Sequence, residues 1–190
     1  MNRRFDPRTL GFLGMMTALV FASNYARIIM PIAIGGRTSF TLANIVCVLS
    51  GLLLGPIGGL ASGLGSALYD LTNPLYAAEC WITFLTKGVL GLVAGLLVRR
   101  QAREGELSYA RCLVGAVCGC LAYYVLYFAK SFFYDGLLVE GLQPGVALAA
   151  LPLKIPASVF NASVAIIAAP PLALALQAAL KRSGLTLRRA

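Results

Sequence analysis

Apolar stretches long enough to cross, or nearly cross, a lipid bilayer follow one another along almost the whole chain. Hydrophobic residues make up 59% of the 190 residues and charged residues only 12%. A soluble domain contains about twice this share of charge, whereas a bilayer-crossing helix needs about 20 mostly apolar residues. Because lipid cannot hydrogen-bond the backbone, we expect an all-α integral membrane protein.

The apolar stretches divide into six predicted spans. Pro31, Gly35 and Gly36 close the first span, and Gly55-Pro56 forms a tight turn between the second and third. The basic start could also indicate a signal peptide, but the apolar stretches that follow favour a retained helix. We predict one six-helix bundle over residues 1–190, with spans at 9–30, 41–54, 57–71, 79–98, 112–133 and 153–180.

Basic residues are distributed unevenly along the chain. Eleven of the sixteen lie at the termini or in one central loop, namely Arg3, Arg4, Arg8, Arg99, Arg100, Arg103, Arg111, Lys181, Arg182, Arg188 and Arg189. Cytoplasmic flanks of membrane spans carry such an excess. We therefore expect a multi-pass protein of the cell membrane with both termini in the cytoplasm. In this setting the charge indicates the lipid bilayer as partner, not nucleic acid.

Several chemistries are missing from the sequence. It has no histidine, and its five cysteines lie in or beside apolar runs, so we expect no metal site and no disulfide scaffold. It also lacks the G-x-x-x-x-G-K-[ST] phosphate loop and the G-x-S-x-G nucleophile motif. We predict no catalytic residue, no cofactor and no ATPase activity of its own. Two alternatives stay open: a membrane enzyme that uses Asp70, Glu79 and Lys87, or a facilitator that works alone.

Polar residues concentrate in the predicted outer halves of spans four, five and six. They recur at helical spacing, so each set shares one helix face. The three stripes lie at one depth, where Asn24 and Arg27 near the outer end of span one join them, and together they can form a pocket with polar groups among aromatic walls. The predicted ligand contacts are Arg27, Arg37, Asn44, Glu79, Lys87, Tyr123, Tyr127, Lys130, Lys154 and Asn161.

Lys87 is the most constrained of these residues. It lies about 12 Å along span four, too deep to reach the interface easily. A lysine within the membrane costs about 2.5 to 3.5 kcal/mol on insertion scales, so it needs a carboxylate, a carbonyl or a ligand. We predict Asp70, at the outer end of span three, as its structural partner. Lys154 could equally be a lysine that extends to the interface.

Small residues recur every fourth position on span one, at Ala18, Ala22 and Ala26. Such ridges let helix backbones approach closely. They serve either internal packing or the docking of another subunit, and the spacing alone favours neither.

The stretch Ser39 to Leu71, SFTLANIVCVLSGLLLGPIGGLASGLGSALYDL, resembles helices two and three of the substrate-binding S components of energy-coupling factor (ECF) transporters. The run TKGVLGLVAGLL, Thr86 to Leu97, is similar to their fourth helix. This resemblance implies a subunit that binds a vitamin or related micronutrient at its outer face. A coupling membrane subunit and two cytoplasmic ATPases would then complete the importer.

The resemblance also assigns roles to particular residues. Ala18 and Ala22 match an A-x-x-x-A pattern that meets the coupling subunit, and Ala26 extends it. The loop at 31–40 would cover the ligand, and Gly35 and Gly36 would supply its mobility. We expect structural roles for Gly55, Pro56 and Asp70. No signature selects riboflavin, thiamin, biotin or folate, and pantothenate or another carboxylate is the first expectation.

Overall fold

The computed structural model describes residues 7–31, 37–104 and 107–183, with the side chains at 30, 31, 37, 38 and 100–104 left out. In chain order the elements are α1 (Pro7–Ser23), β1 (Arg27–Pro31), β2 (Arg37–Thr41), α2 (Ala43–Leu54), α3 (Gly58–Thr72), α4 (Cys80–Glu104), α5 (Tyr109–Lys130), α6 (Pro144–Ala150) and α7 (Ile155–Arg182). Three 3₁₀ turns, Gly55–Ile57, Ala77–Glu79 and Leu151–Lys154, and a π-helical segment, Ser131–Val139, connect them.

The end of the first predicted span requires a correction. Helix α1 ends at Ser23, and the chain then forms an antiparallel hairpin in which Arg27 pairs with Thr41 and Ile29 with Ser39. The apolar run Ile28-Ile29-Met30 suggested a continuing helix, but β-branched residues also suit a strand. The described part of the chain is therefore helical except for this hairpin.

Helices α2 and α3 form the tight hairpin expected at Gly55-Pro56. Gly55 has φ +70°, a backbone conformation that glycine adopts without steric cost. Contacts between the two helices show that they run antiparallel beyond the turn. The Ser50 and Ser62 hydroxyls lie 2.7 Å apart, and Ser62 also donates a hydrogen bond to the Cys47 carbonyl at 3.0 Å. Both serines are fully buried, so each satisfies the other where water is absent.

Glycines bring α4 against the α2–α3 hairpin at backbone distance. A Cβ placed on Gly51 would lie 2.2 Å from the Gly91 carbonyl oxygen, and one on Gly59 would lie 2.7 Å from that of Gly88. Gly59 of α3 therefore packs against Gly88 and Gly91 of α4, which places these glycines in the interior of the bundle. Small residues permit this close approach in membranes, where dispersion and polar contacts hold helices together.

Within the part of the chain that the structure describes, four helical stretches are long and apolar enough to cross a membrane: Ala43–Thr72, Ala77–Arg99, Tyr109–Val139 and Pro144–Arg182. The first contains the α2–α3 hairpin and therefore doubles back on itself. In the last, Pro170 and Pro171 lie inside α7 without ending it. Together with α1, these stretches enclose one apolar core centred on α2 and α4.

We predict that Gly51→Ala lowers the thermal stability of the detergent-purified protein by roughly 1 to 3 kcal/mol, because the added methyl group would overlap the α4 backbone. Gly14→Ala is the matched control, since nothing lies within 4 Å of a Cβ at that exposed position. Thermal unfolding of both variants checks this, and equal stability would show that α2 and α4 are not packed at this distance.

Candidate ligand-binding site

A cavity opens between the β hairpin and helices α3, α4, α5 and α7. It encloses about 750 Å³, counted to its open mouth. Five separate elements and the turn before α4 contribute to its wall, which mixes aromatic, charged and hydroxyl side chains. The lining residues are Arg27, Ser39, Thr41, Asp70, Tyr76, Ile82, Thr83, Thr86, Lys87, Tyr123, Tyr124, Tyr127, Lys130, Ser158 and Asn161.

Asn161 fastens the β hairpin to α7 over this cavity. Its Oδ1 accepts a hydrogen bond from the Thr41 backbone N–H at 2.8 Å, and its Nδ2 donates to the Ser39 carbonyl at 2.7 Å. Beside it the Phe40 and Phe160 rings meet edge to face with centroids 5.0 Å apart. One amide side chain thus continues the hydrogen-bonding edge of β2 and fixes one wall of the cavity.

Arg27 reaches from β1 across the cavity toward Asp70. Its guanidinium lies 3.9 Å from the Asp70 carboxylate, donates to Asn24 at 2.7 Å and stacks over Tyr69 and Tyr76. Within the described residues, Arg27 Nε and Asp70 Oδ1 are buried without a hydrogen-bond partner. A buried polar group without a partner is costly, so this loose pair leaves one donor and one acceptor to be satisfied at the cavity wall.

Lys87 has a different partner from the one predicted. Its ammonium donates to the Asn44 Oδ1 atom and lies 4.5 Å from the centre of the Tyr123 ring, while Asp70 pairs with Arg27 instead. The side chain is only 4% exposed. The physical reason is that an amide oxygen and an aromatic face can hold a cation without a carboxylate. Its positive charge is thereby left uncompensated by an ion pair among the residues described.

Three tyrosines of α5 form the aromatic wall. The rings of Tyr123 and Tyr127 stack with centroids 5.9 Å apart and an interplanar angle of 26°, and Tyr124 packs edge-on against both. The Tyr124 hydroxyl lies 3.4 Å from Asn44 Nδ2. Lys87, Asn44 and the tyrosines thus form one connected group on α2, α4 and α5.

A chain of ion pairs joins the ends of α4, α5 and α7 that lie beside the cavity. Lys130 lies 2.6 Å from both Glu79 and Asp135, and Lys154 lies 3.2 Å from Asp135 and donates to Ser131. Lys154 is 1% exposed. This placement removes the alternative of a lysine extending to the interface, since Asp135 on the π-helical segment supplies its counter-charge inside the protein.

The predicted contacts divide into three groups. The cavity wall contains Arg27, Lys87, Tyr123, Tyr127, Lys130 and Asn161. Three others lie behind it: Asn44 supports Lys87, Glu79 neutralises Lys130, and Lys154 pairs with Asp135. Sequence spacing indicated that these residues lie near one another, but it does not show which side chains form hydrogen bonds or ion pairs with other protein residues. Gly35, Gly36 and the Arg37 side chain lie outside the described residues.

Several wall residues were not among the predicted contacts. Tyr124 lies off the regular step of polar positions on α5, and Tyr76 lies in a turn. Ser39 and Thr41 enter only because the chain after α1 is a β hairpin rather than a loop. The polar stripe of α4 was a usable signal for Thr83 and Thr86, which share the face of Lys87.

Ala18 and Ala22 lie on α1 and face away from the core. The prediction that Ala26 extends this ridge is wrong, because α1 ends at Ser23 and Ala26 lies in the turn before β1. Ala18, Ala22 and Ala26 are all exposed. Toward the N-terminus, Gly11 and Gly14 have open space where a Cβ would be. These exposed alanines do not pack against the other described helices of this chain, so internal packing is the wrong interpretation of the ridge.

Residues 4–178 match the family model of the S component of ECF-type riboflavin transporters. The chain belongs to this family. It is also 31% identical over 94 residues to an uncharacterized protein in the gap 3′ region of Pyrococcus woesei, an alignment that covers 49% of this chain and 59% of that protein.

Family membership settles the class of protein. The chain is an S component, a membrane-embedded, substrate-binding subunit of a vitamin-type transporter, and the family is not one of enzymes. Its multi-pass membrane location follows from the family together with the long apolar helices.

We predict that Asn161→Ala speeds amide hydrogen exchange at Phe40 and Thr41 by about tenfold or more, since it removes the hydrogen bonds to Thr41 and Ser39, each of which contributes about 1 kcal/mol. Ser163→Ala, an exposed change on the same helix, should leave this exchange unaltered. Hydrogen–deuterium exchange with mass spectrometry measures both, and unchanged exchange in Asn161→Ala would show that α7 does not hold the hairpin.

Proposed function

We propose that this chain binds riboflavin or a close flavin analogue in the cavity beneath the β hairpin and delivers it to an ATP-driven importer. The observation that carries the proposal is the meeting of the Tyr123–Tyr124–Tyr127 wall with buried polar groups in one cavity of a chain that matches a riboflavin-transporter family. The chain makes no covalent change to the ligand.

The aromatic wall suits a flat ring system. A flavin ring would pack against Tyr127 and Tyr124, as offset or edge-on aromatic pairs do. The ring also carries carbonyl oxygens and one N–H on the same edge. Arg27 Nε and Lys87 offer donors, and Asp70 Oδ1 offers an acceptor, so the polar edge of the ring can satisfy the groups that the protein leaves unsatisfied.

Most charged groups around the cavity are paired within the protein, and this favours a neutral ligand. Arg27 faces Asp70, and Lys130 faces both Glu79 and Asp135. Lys87 is the exception and supports a second candidate, the carboxylate of pantothenate, because its counter-charge could come from the ligand. Charge pairing between protein and ligand would then replace the contact with Asn44.

Binding measurements separate the two ligands. We expect riboflavin fluorescence to be quenched on titration with the purified protein, and a large excess of pantothenate to leave the quenching unchanged. Lys87→Met should weaken riboflavin binding about 10- to 100-fold through loss of one charged hydrogen bond. Lys181→Met, at the end of α7, is the control. Displacement by pantothenate, or tight pantothenate binding that Lys87→Met abolishes, would favour the carboxylate instead.

The coupling step is assigned to α1. In this proposal Ala18 and Ala22 lie against the coupling membrane subunit, two cytoplasmic ATPases supply the energy, and the bundle crosses the membrane six times with both termini inside. The exposure of the ridge and the basic termini support this arrangement.

We predict that Ala18→Trp with Ala22→Trp abolishes riboflavin uptake in cells that contain the coupling subunit and ATPases, while the affinity of the purified subunit changes less than twofold. Bulky side chains would prevent the close helix contact, and neither alanine lines the cavity. Ala175→Trp, on the exposed surface of α7, controls for bulk in the membrane. Normal uptake by the double variant would remove the docking assignment.

A further inference from the structure

A second cavity lies at the opposite end of the bundle, between α1, α2 and α7. It encloses about 370 Å³, counted to its opening, and exposes no polar surface. Its lining consists of Phe12, Met15, Met16, Leu53, Leu54, Leu176 and Leu180. We call it the apolar slot.

The apolar slot is closed toward the core and open toward the surroundings. Met16, Leu53 and Leu54 are at most 5% exposed and form its back wall, whereas Met15 is 53% and Leu176 38% exposed at its opening. An opening of this kind on the side of a membrane bundle meets hydrocarbon, so a flexible apolar chain can enter it from the bilayer without crossing water.

Basic residues lie at the same end as the slot. Arg8 precedes the slot residue Phe12 by one turn of α1, and Lys181 and Arg182 follow the slot residue Leu180 directly on α7. All three are exposed. An apolar slot beside exposed cations matches the two parts of an anionic phospholipid, an acyl chain and a charged headgroup.

We propose that this end of the bundle binds an anionic phospholipid, with one acyl chain in the apolar slot and the headgroup phosphate held by Arg8, Lys181 and Arg182. The site is separate from the outer cavity and does not depend on which vitamin that cavity holds. It ties α1, which carries the Ala18–Ala22 ridge, to α2 and α7 through a lipid from the bilayer.

The test is native mass spectrometry of the purified full-length chain with equal amounts of dioleoyl phosphatidylglycerol and dioleoyl phosphatidylcholine. The expected result is that phosphatidylglycerol is retained at least fivefold more often. Leu176→Trp fills the slot and should lower retention of both lipids, while Leu172→Trp, exposed one turn away and outside the slot, should not. Lys181→Gln with Arg182→Gln should reduce phosphatidylglycerol to the level of phosphatidylcholine.

Equal retention of the two lipids by the unaltered chain, or unchanged retention in Leu176→Trp, would overturn the proposal. A Leu176→Trp variant that retains lipid normally but no longer assembles with the coupling subunit would also overturn it, because the slot would then receive a protein side chain. If Leu176→Trp does not fold, as judged by thermal unfolding in detergent, Leu180→Trp repeats the test from the other end of the slot opening.

Discussion

The close contact between α4 and the α2–α3 hairpin is the constraint on which the rest of the structure depends. Gly51, Gly59 and Gly91 allow backbones to meet where any side chain would hold them apart. Asp70 lies in the last turn of the helix that carries Gly59, and Lys87 precedes Gly88 on the partner helix, so the same contact sets the distance between the two charged groups. The α3 and α4 sides of the cavity are therefore fixed against each other by backbone contact. The β hairpin, on another side, is joined to α7 by the two hydrogen bonds of Asn161.

Charge is distributed so that the two ends of the bundle differ in what they can bind. At the end with the large cavity, three buried or partly buried cations, Arg27, Lys130 and Lys154, pair with the carboxylates Asp70, Glu79 and Asp135. A fourth cation, Lys87, is held by Asn44 and the Tyr123 ring instead. Ions inside a bilayer are costly unless paired, and these pairs make a polar interior tolerable there. The opposite end has an apolar slot and exposed cations at its rim. A water-soluble ligand suits the first end, and a lipid suits the second.

The sequence predicted the elements with strong periodicity and missed those set by tertiary contact. The α2–α3 turn could be placed because Gly55-Pro56 interrupts an apolar run, and the stripes of α4, α5 and α7 identified five of the six predicted contacts that line the cavity. The β hairpin could not be foreseen, since Ile28-Ile29-Met30 fits helix and strand equally. The partner strand β2 is held by Asn161, which lies 120 residues after Thr41 in the sequence. Lys87 was assigned the wrong partner for a similar reason: Asp70 was the nearest carboxylate by span position, but Arg27 on the unforeseen strand lies beside it.

The central claim is that the cavity beneath the hairpin is where the vitamin binds. An experimental structure of the chain with riboflavin tests it most directly. The account predicts the flavin ring against Tyr124 and Tyr127, its polar edge within hydrogen-bonding distance of Arg27, Asp70 or Lys87, and the hairpin closed above it. A flavin located elsewhere on the bundle, or a cavity beneath the hairpin that stays empty while the protein is saturated with ligand, would contradict the account.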